Sequence, residues 1–389
     1  MKTISLHNEA EIADAVREAA EKNMSFEILS GGTKQEFGRP VSADTILDVS
    51  ALSGIVKYEP EELVLTARAG TKLTDIEAAL AEKNQMLGFE PADWGPLFGA
   101  QAGRATLGGI VATNACGARR VKAGAVRDHV IGCRFVNGKG ETIKAGGHVI
   151  KNVTGFDLPK LMCGAFGTLG VLTEITFRVS PRPERVAAFG IDCGAETGLR
   201  LLREAARLPL DASGLSYVLS DGGGTALIRV EGTHAAVEQK LAELHKQFAA
   251  YETKVLDQDA TKNVFRAVSS ASHFREIATD IWRLCVPAVN ACDALTSCGI
   301  ASAAFWYADW AGGLLWLGLP ANDETAERLR GITARFGGHA TLMRATRQAR
   351  ERLTVFEPET PARAEITRSV KTAFDPKRVL NPERMFQGV

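Results

Sequence analysis

Three passages decide the fold: TLGGIVATNACGARR (Thr106 to Arg120), GAVRDHVIGCRFVNGKGE (Gly124 to Glu141) and KNVTGFDLPKLMCGAFGTLGVLTEITFRVSPRP (Lys151 to Pro183). Glycines recur where the chain turns, and the apolar runs between them, VIGCRFV and VLTEITFRV, have strand character. A backbone that bends repeatedly beside a bulky ligand needs residues without a Cβ. Gly164, Gly167 and Gly170 imitate the dinucleotide fingerprint, but that fingerprint needs a helix after its glycines, and Val171 to Val179 reads as a strand. The spacing therefore predicts a glycine-lined cradle of another kind.

Working outward, Asn8-Glu9-Ala10-Glu11 reads as a capping box opening a helix to about Lys22, with Ile12, Val16 and Ala19 at helical spacing. A strand from Ser25 to Leu29 then enters Ser30-Gly31-Gly32-Thr33-Lys34. This turn lacks P-loop spacing. Its successive amides, with the Thr33 hydroxyl and the Lys34 ammonium, still suit an anion. Short strands are expected at Thr45 to Val49, Ile55 to Tyr58 and Leu63 to Ala67. A second capping box at Thr74 to Glu77 predicts a helix with Leu73, Ile76, Ala79 and Leu80 inward. The Gly- and Pro-rich stretch that follows, to Gly109, reads as a packed functional loop.

Beyond Arg185, strands are expected at Val186 to Ile191, Leu215 to Leu219, Ala226 to Val230, Ile281 to Val286 and Leu314 to Leu319. Helices are expected at Thr197 to Arg207, His234 to Phe248, Glu324 to Phe336 and Pro361 to Phe374. This pattern predicts an antiparallel sheet covered on one side. Lys plus Arg equals Asp plus Glu, so no basic footprint for nucleic acid exists. Seven cysteines, an odd number, without zinc or iron–sulfur spacing predict reduced, packed thiols and no metal. No apolar run is long enough for a membrane span, and the first residues lack a signal-peptide core, so a cytoplasmic protein without direct membrane insertion is expected.

SGGTK, FEP, TLGG-x-x-ATNACG, VRDHVIG, GKGE and KNVTGFDLPKLMCGAFGTLGVLTEI, in that order, resemble the FAD-binding domain of the vanillyl-alcohol oxidase / p-cresol methylhydroxylase flavoproteins. IWRLCVPA (Ile281 to Ala288), GGHATLMRA (Gly337 to Ala345) and DPKRVLNPERMF (Asp375 to Phe386) carry the likeness onward, toward the FAD-binding subunits of bacterial glycolate oxidases. The resemblance implies an α+β fold: a two-subdomain FAD-binding domain over 1–183, an α+β cap domain with an antiparallel sheet over 184–346, and a segment, 347–389, returning to the first domain. It implies FAD, with Gly31, Gly32, Thr33 and Lys34 by the pyrophosphate. Pro91, Gly108, Gly109, Thr113, Asn114 and Gly117 would line the flavin and ribityl side, Arg127, Asp128 and Val130 pass along the cofactor, and Gly170 and Val171 meet the adenine end. Asn381 would approach the flavin edge. Relatives with covalent flavin often carry a histidine in the glycine turn; Thr33 to Gln35 has none, so non-covalent FAD is expected.

The resemblance further implies a sister FAD subunit and an iron–sulfur subunit as partners, a small 2-hydroxy acid as substrate, and a peripheral place at the inner membrane through those partners. Oxidising such a substrate requires a cation for its carboxylate and a base for its hydroxyl. Arg283, with Arg120 and Arg127 in the cofactor domain, supplies candidates for the first, and His339 for the second. Trp282, Trp306, Trp310 and Trp316 read as cap core. The closely paired cap histidines of metal-assisted relatives are missing, which leaves two alternatives open: a stand-alone FAD oxidoreductase acting on a hydroxy acid or alcohol, and a flavin-bearing, non-catalytic assembly subunit.

Overall fold

The computed structural model describes residues 2–147, 156–220, 223–300 and 303–389. The KNVTG portion of the third passage, 151–155, lies outside them. The chain forms two compact units: Met1–Cys116 with Ala125–Pro181 and Pro358–Val389, and Gly117–Gly124 with Arg182–Glu357. The division assigns Gly117–Gly124 to the second unit, a passage that sequence alone does not set apart from its surroundings.

In the first unit, the helix Glu9–Lys22 begins as its sequence dictates. Asn8 accepts from the Glu11 amide at 2.9 Å, and the Glu11 carboxylate accepts from the His7 amide at 2.8 Å. Asn23 ends the helix in the left-handed region, and Ile12, Ala13, Val16 and Ala19 are buried. They pack with Leu47 and Phe26 of a parallel three-stranded sheet, ordered Lys2–Ser5, Thr45–Asp48, Phe26–Leu29. A second sheet runs Ile55–Glu59, Val64–Arg68, Val171–Pro181, Val130–Val136, Thr142–Gly146, all antiparallel, with Gln85–Leu87 paired to the far end of Val171–Pro181. The strand Val171–Pro181 follows the Gly164/Gly167 turn directly, both glycines with positive φ, so the expected break from a Rossmann turn is present.

The capping box expected at Thr74 does not form. The helix runs Leu73–Glu82 from Lys72, which makes no side-chain cap. Long-range pairing sets its start instead: Lys72 bridges Thr106, and the Leu73 amide donates to the Ala105 carbonyl at 3.0 Å. The passage from Thr106 also contains a helix, Leu107–Thr113, that its two glycines conceal from propensity reasoning.

The C-terminal helix Pro361–Phe374 matches its expected bounds. Its Lys371 ammonium is buried against Asp375 at 2.8 Å and donates to the carbonyls of Thr168 and Leu380 at 2.7 and 2.9 Å. Asp375 in turn accepts from the amides of Val379 and Leu380, both at 2.9 Å. This cluster ties the chain end to the Phe26–Leu29 strand, where the Phe26 amide donates to Val379.

The second unit is built on an eight-stranded antiparallel sheet in the order Thr253–Leu256, Arg185–Asp192, Gly223–Gly232, Gly214–Ser220, Trp306–Asp309, Leu314–Gly318, Ile281–Cys285, His339–Arg344. One face, carrying Phe189, Ile228, Trp282, Leu284 and Leu317, packs with Leu202 of Ala195–Arg207, Leu241 of His234–Gln247 and Leu329 of Asp323–Arg335. Each fully buried leucine contributes about 1.5–3 kcal/mol. The expectation of cover on one side needs correction. The helix Gln258–Ser270, unforeseen, lies on the other face, where Phe265 stacks on the Arg229 guanidinium at 4.4 Å and the Val268 carbonyl accepts from Tyr307 Oη at 2.8 Å. The apolar stripe Phe265/Val268 demands such burial.

Candidate functional site

In the first unit, the strand Phe26–Leu29 delivers the turn Ser30–Lys34 into a cavity. Gly31 admits no side chain, since a Cβ there would sit 2.0 Å from the Arg104 carbonyl oxygen. Gly32 has φ +69°, the left-handed region open to glycine. Among the described residues, the amides of Gly31 through Gln35 donate to no protein acceptor. Ser30 Oγ is buried without a partner. Lys34 is only 8% exposed, and among the described residues its ammonium hydrogen-bonds only to the Thr33 hydroxyl, at 3.3 Å. Burial pushes the Lys34 amine down to about 8, against the opposing pull of Asp93. The loop is held from behind by Arg384 Nη2, which donates to the carbonyls of Lys34 and Gln35 at 2.8 and 2.7 Å. A buried ammonium, an orphaned hydroxyl and a run of unengaged amides fit a phosphate-bearing anion.

Gly108, Gly109 and Thr113 line the same cavity from the helix Leu107–Thr113. Gly108 lies flush on Ala69: its amide donates to the Ala69 carbonyl at 2.7 Å, and a Cβ would come within 2.9 Å of that oxygen. Gly170 and Val171, at the head of the long central strand, line it too. At Gly170 a side chain would strike the Phe135 ring at 2.6 Å. Asn381 completes the wall with both ends of its amide engaged: Oδ1 accepts from the Ile28 amide at 2.8 Å, and Nδ2 donates to the Phe166 carbonyl at 2.7 Å. The cavity itself has a volume of about 120 Å³.

Other expected cofactor residues lie outside this cavity wall. Pro91 bridges Cys116, and Asn114, at φ 48°, accepts from the Arg127 amide at 3.1 Å. Asp128 accepts from the Ala125 amide at 2.8 Å, Arg127 is exposed, and Val130 starts a buried strand. Gly117 belongs to the second unit, where its carbonyl accepts from Trp310 Nε1 at 3.2 Å. Sequence reading passed over Ser30 and Arg384 as site residues, although SGGTK and NPERM contain them. Their roles depend on an orphaned hydroxyl and on a contact 350 residues apart in sequence.

In the second unit, alternation along Ile281–Cys285 sends Trp282 and Leu284 into the core and Arg283 and Cys285 to the opposite face. Arg283 registers with Trp316 and Thr341, Cys285 with Leu314 and His339. The Arg283 guanidinium lies 5.2 Å from the Trp310 ring centre, and Arg120 lies 4.8 Å from it. Arg120, expected in the cofactor domain, is thus part of the second unit. Arg283 has no carboxylate partner among the described residues, and its Nε is buried without an acceptor. His339 is exposed at the start of its strand, in register with Cys285. Burial pushes the Cys285 thiol up, but Arg283, His339 and Arg120 together pull it further down, to about 7. Cys285 and Cys292 are only partly buried, and Cys292 packs against the core as expected of a structural thiol. Trp282, Trp306 and Trp316 are core, whereas Trp310 is half-buried at φ 54°.

Residues 2–146 match the FAD binding domain family, and residues 349–385 match the FAD linked oxidases, C-terminal domain. The fold is that of p-cresol methylhydroxylase, whose substrate-bound crystal structure superimposes with a TM-score of 0.71 at 14% identity, covering 98% of this chain and 88% of that one. The chain belongs to the FAD-linked oxidoreductases of the vanillyl-alcohol oxidase / p-cresol methylhydroxylase type, and FAD is its cofactor. It is 34% identical over 375 residues to glycolate oxidase subunit GlcE of Escherichia coli (strain K12), covering 96% of each chain. A D-lactate dehydrogenase of Archaeoglobus fulgidus is 25% identical, over 97% of this chain and 89% of its own length. Among the described residues, no helix is long and apolar enough to cross a membrane.

Proposed function

We propose that this chain is the FAD-binding subunit of a glycolate or related 2-hydroxy acid dehydrogenase complex, with electrons leaving the flavin for an iron–sulfur partner. The likeness to a glycolate oxidase subunit over nearly the full length of both chains carries the reading. FAD, when bound, supplies two-electron acceptance from the substrate carbon. Ser30–Lys34 hold its pyrophosphate: the amides and the Lys34 ammonium neutralise charge, and Arg384 fixes the loop from behind. Gly108, Gly109 and Thr113 keep the cavity wall thin for the cofactor body.

In the second unit, Arg283 takes the substrate carboxylate, helped by Arg120, because its guanidinium has no carboxylate of its own. His339, exposed at the start of its strand, accepts the hydroxyl proton. That His339 stands in register with Cys285 rather than with a carboxylate to orient it is the observation favouring a second reading, a flavin-bearing assembly subunit whose chemistry lies in a sister subunit.

Anaerobic titration of the purified holoprotein with glycolate and D-lactate, following visible flavin absorbance, separates the readings. Bleaching is expected if the chain oxidises the substrate itself. An unchanged spectrum in the isolated chain that bleaches only after adding partner subunits assigns the chemistry elsewhere in the complex. Turnover with an artificial acceptor and no need of partners would identify a stand-alone oxidoreductase.

A further inference from the structure

We propose that Cys285 is a modification site, a thiolate held by Arg283, His339 and Arg120 that reacts with small soft electrophiles, hydroperoxides foremost. The argument starts from the strand register. Arg283 and Cys285 are two residues apart on one strand and so share a face. On the adjacent strand His339 stands directly opposite Cys285. On the other side the register partner is Leu314, which is apolar, and the remaining charge comes from Arg120 in the segment Arg120–Ala123. The groups acting on the sulfur are cationic or imidazole, and the carboxylate of Asp309 stands one strand further on, beyond Leu314. A thiolate beside Arg and His, partly open to solvent, is the microenvironment that makes cysteine reactive.

Four of the other thiols are pushed the opposite way. Cys133, Cys163 and Cys298 are buried and pushed up to about 12, and burial also raises Cys193. Arg283 adds an independent feature: its Nε is buried without an acceptor, a donor awaiting an oxygen or other anion at this face. In the reaction, a sulfur lone pair forms an S–O bond to one peroxide oxygen while the O–O bond breaks. Hydroxide or alkoxide leaves and takes a proton from solvent. The sulfur is oxidised by two electrons to the sulfenic acid, which keeps the hydrogen of the oxygen it gains, and the peroxide is reduced.

The test is pulse alkylation of the native holoprotein with iodoacetamide across pH, each cysteine quantified by peptide mass. Cys285 should label first, with its rate inflecting near pH 7, where an ordinary thiol inflects at about 8.5. The absolute gain at neutral pH is small. The ionised fraction rises about fifteenfold, but the lower basicity costs about fivefold in nucleophilicity, leaving roughly a threefold advantage. The inflection is therefore the decisive readout. Arg283→Gln and His339→Gln should each move it upward, while Arg283→Lys should keep it low. With dilute hydrogen peroxide and dimedone, the sulfenic adduct should appear at Cys285. A wild-type inflection at or above the ordinary thiol value, or a peroxide adduct that spares Cys285, would overturn the proposal, and neither outcome depends on a variant folding.

Discussion

Lys34 carries opposite pH signatures for folding and for cofactor binding. Its amine is held at about 8 in the apo fold, against 10.5 for an ordinary lysine. Between those values the unfolded chain binds more protons than the folded one, so the contribution of this group to apo stability rises with pH over that window. FAD affinity should move the other way. The pyrophosphate needs the ammonium, so the dissociation constant of the apoprotein should be flat below pH 8 and then rise by up to about tenfold per unit. Lys34→Met should abolish that slope and weaken FAD roughly ten- to hundredfold, the worth of a charge-assisted hydrogen bond of about 1.5–3 kcal/mol. Fluorescence titration of the apoprotein across pH measures both; a slope that survives in Lys34→Met would remove this lysine from the phosphate site.

At the scale of elements, the chain end acts as a clamp on the cofactor loop. Lys371, Asp375, Asn381 and Arg384 secure, in order, the Thr168 carbonyl, the amides of Val379 and Leu380, the Ile28 amide, and the carbonyls of Lys34 and Gln35. Lys371→Met removes one partner of a buried ion pair and strands Asp375, so chemical denaturation should show a loss of about 3–5 kcal/mol. FAD affinity should fall as well, because the Phe26–Leu29 strand that delivers the glycine turn pairs with Val379. If Lys371→Met retained full stability, the clamp would be decorative. The helix Leu73–Glu82 teaches a related lesson: a plausible capping box at Thr74 lost to pairing between Lys72 and Thr106, residues far apart in sequence.

At the scale of the whole molecule, the glycine turn contains no histidine for a covalent flavin bond. Acid precipitation of the holoprotein should leave the yellow colour in the supernatant; a yellow pellet would show a covalent link. Much of the architecture was legible because its signals are local. The helix Glu9–Lys22 has a capping pair and a clean apolar stripe, and Val130–Val136 and Val171–Pro181 are rich in β-branched residues. Gln258–Ser270 and His339–Arg344 were missed, the first for want of a strong apolar run, the second because Gly337-Gly338 reads as a turn. Both elements are completed by partners distant in sequence, the sheet face for one and Ile281–Cys285 for the other.

By itself the sequence determined the cofactor class and the glycine turn at Ser30–Lys34, because motif order and the need for residues without a Cβ are written in the chain. Only the tertiary structure decided that Ser30 and Arg384 belong to that site, that Arg120 joins Arg283, and that Cys285 faces His339 across two strands. Burial, orphaned donors and electrostatic neighbours are properties of groups brought together across long sequence separations, and no local pattern encodes them.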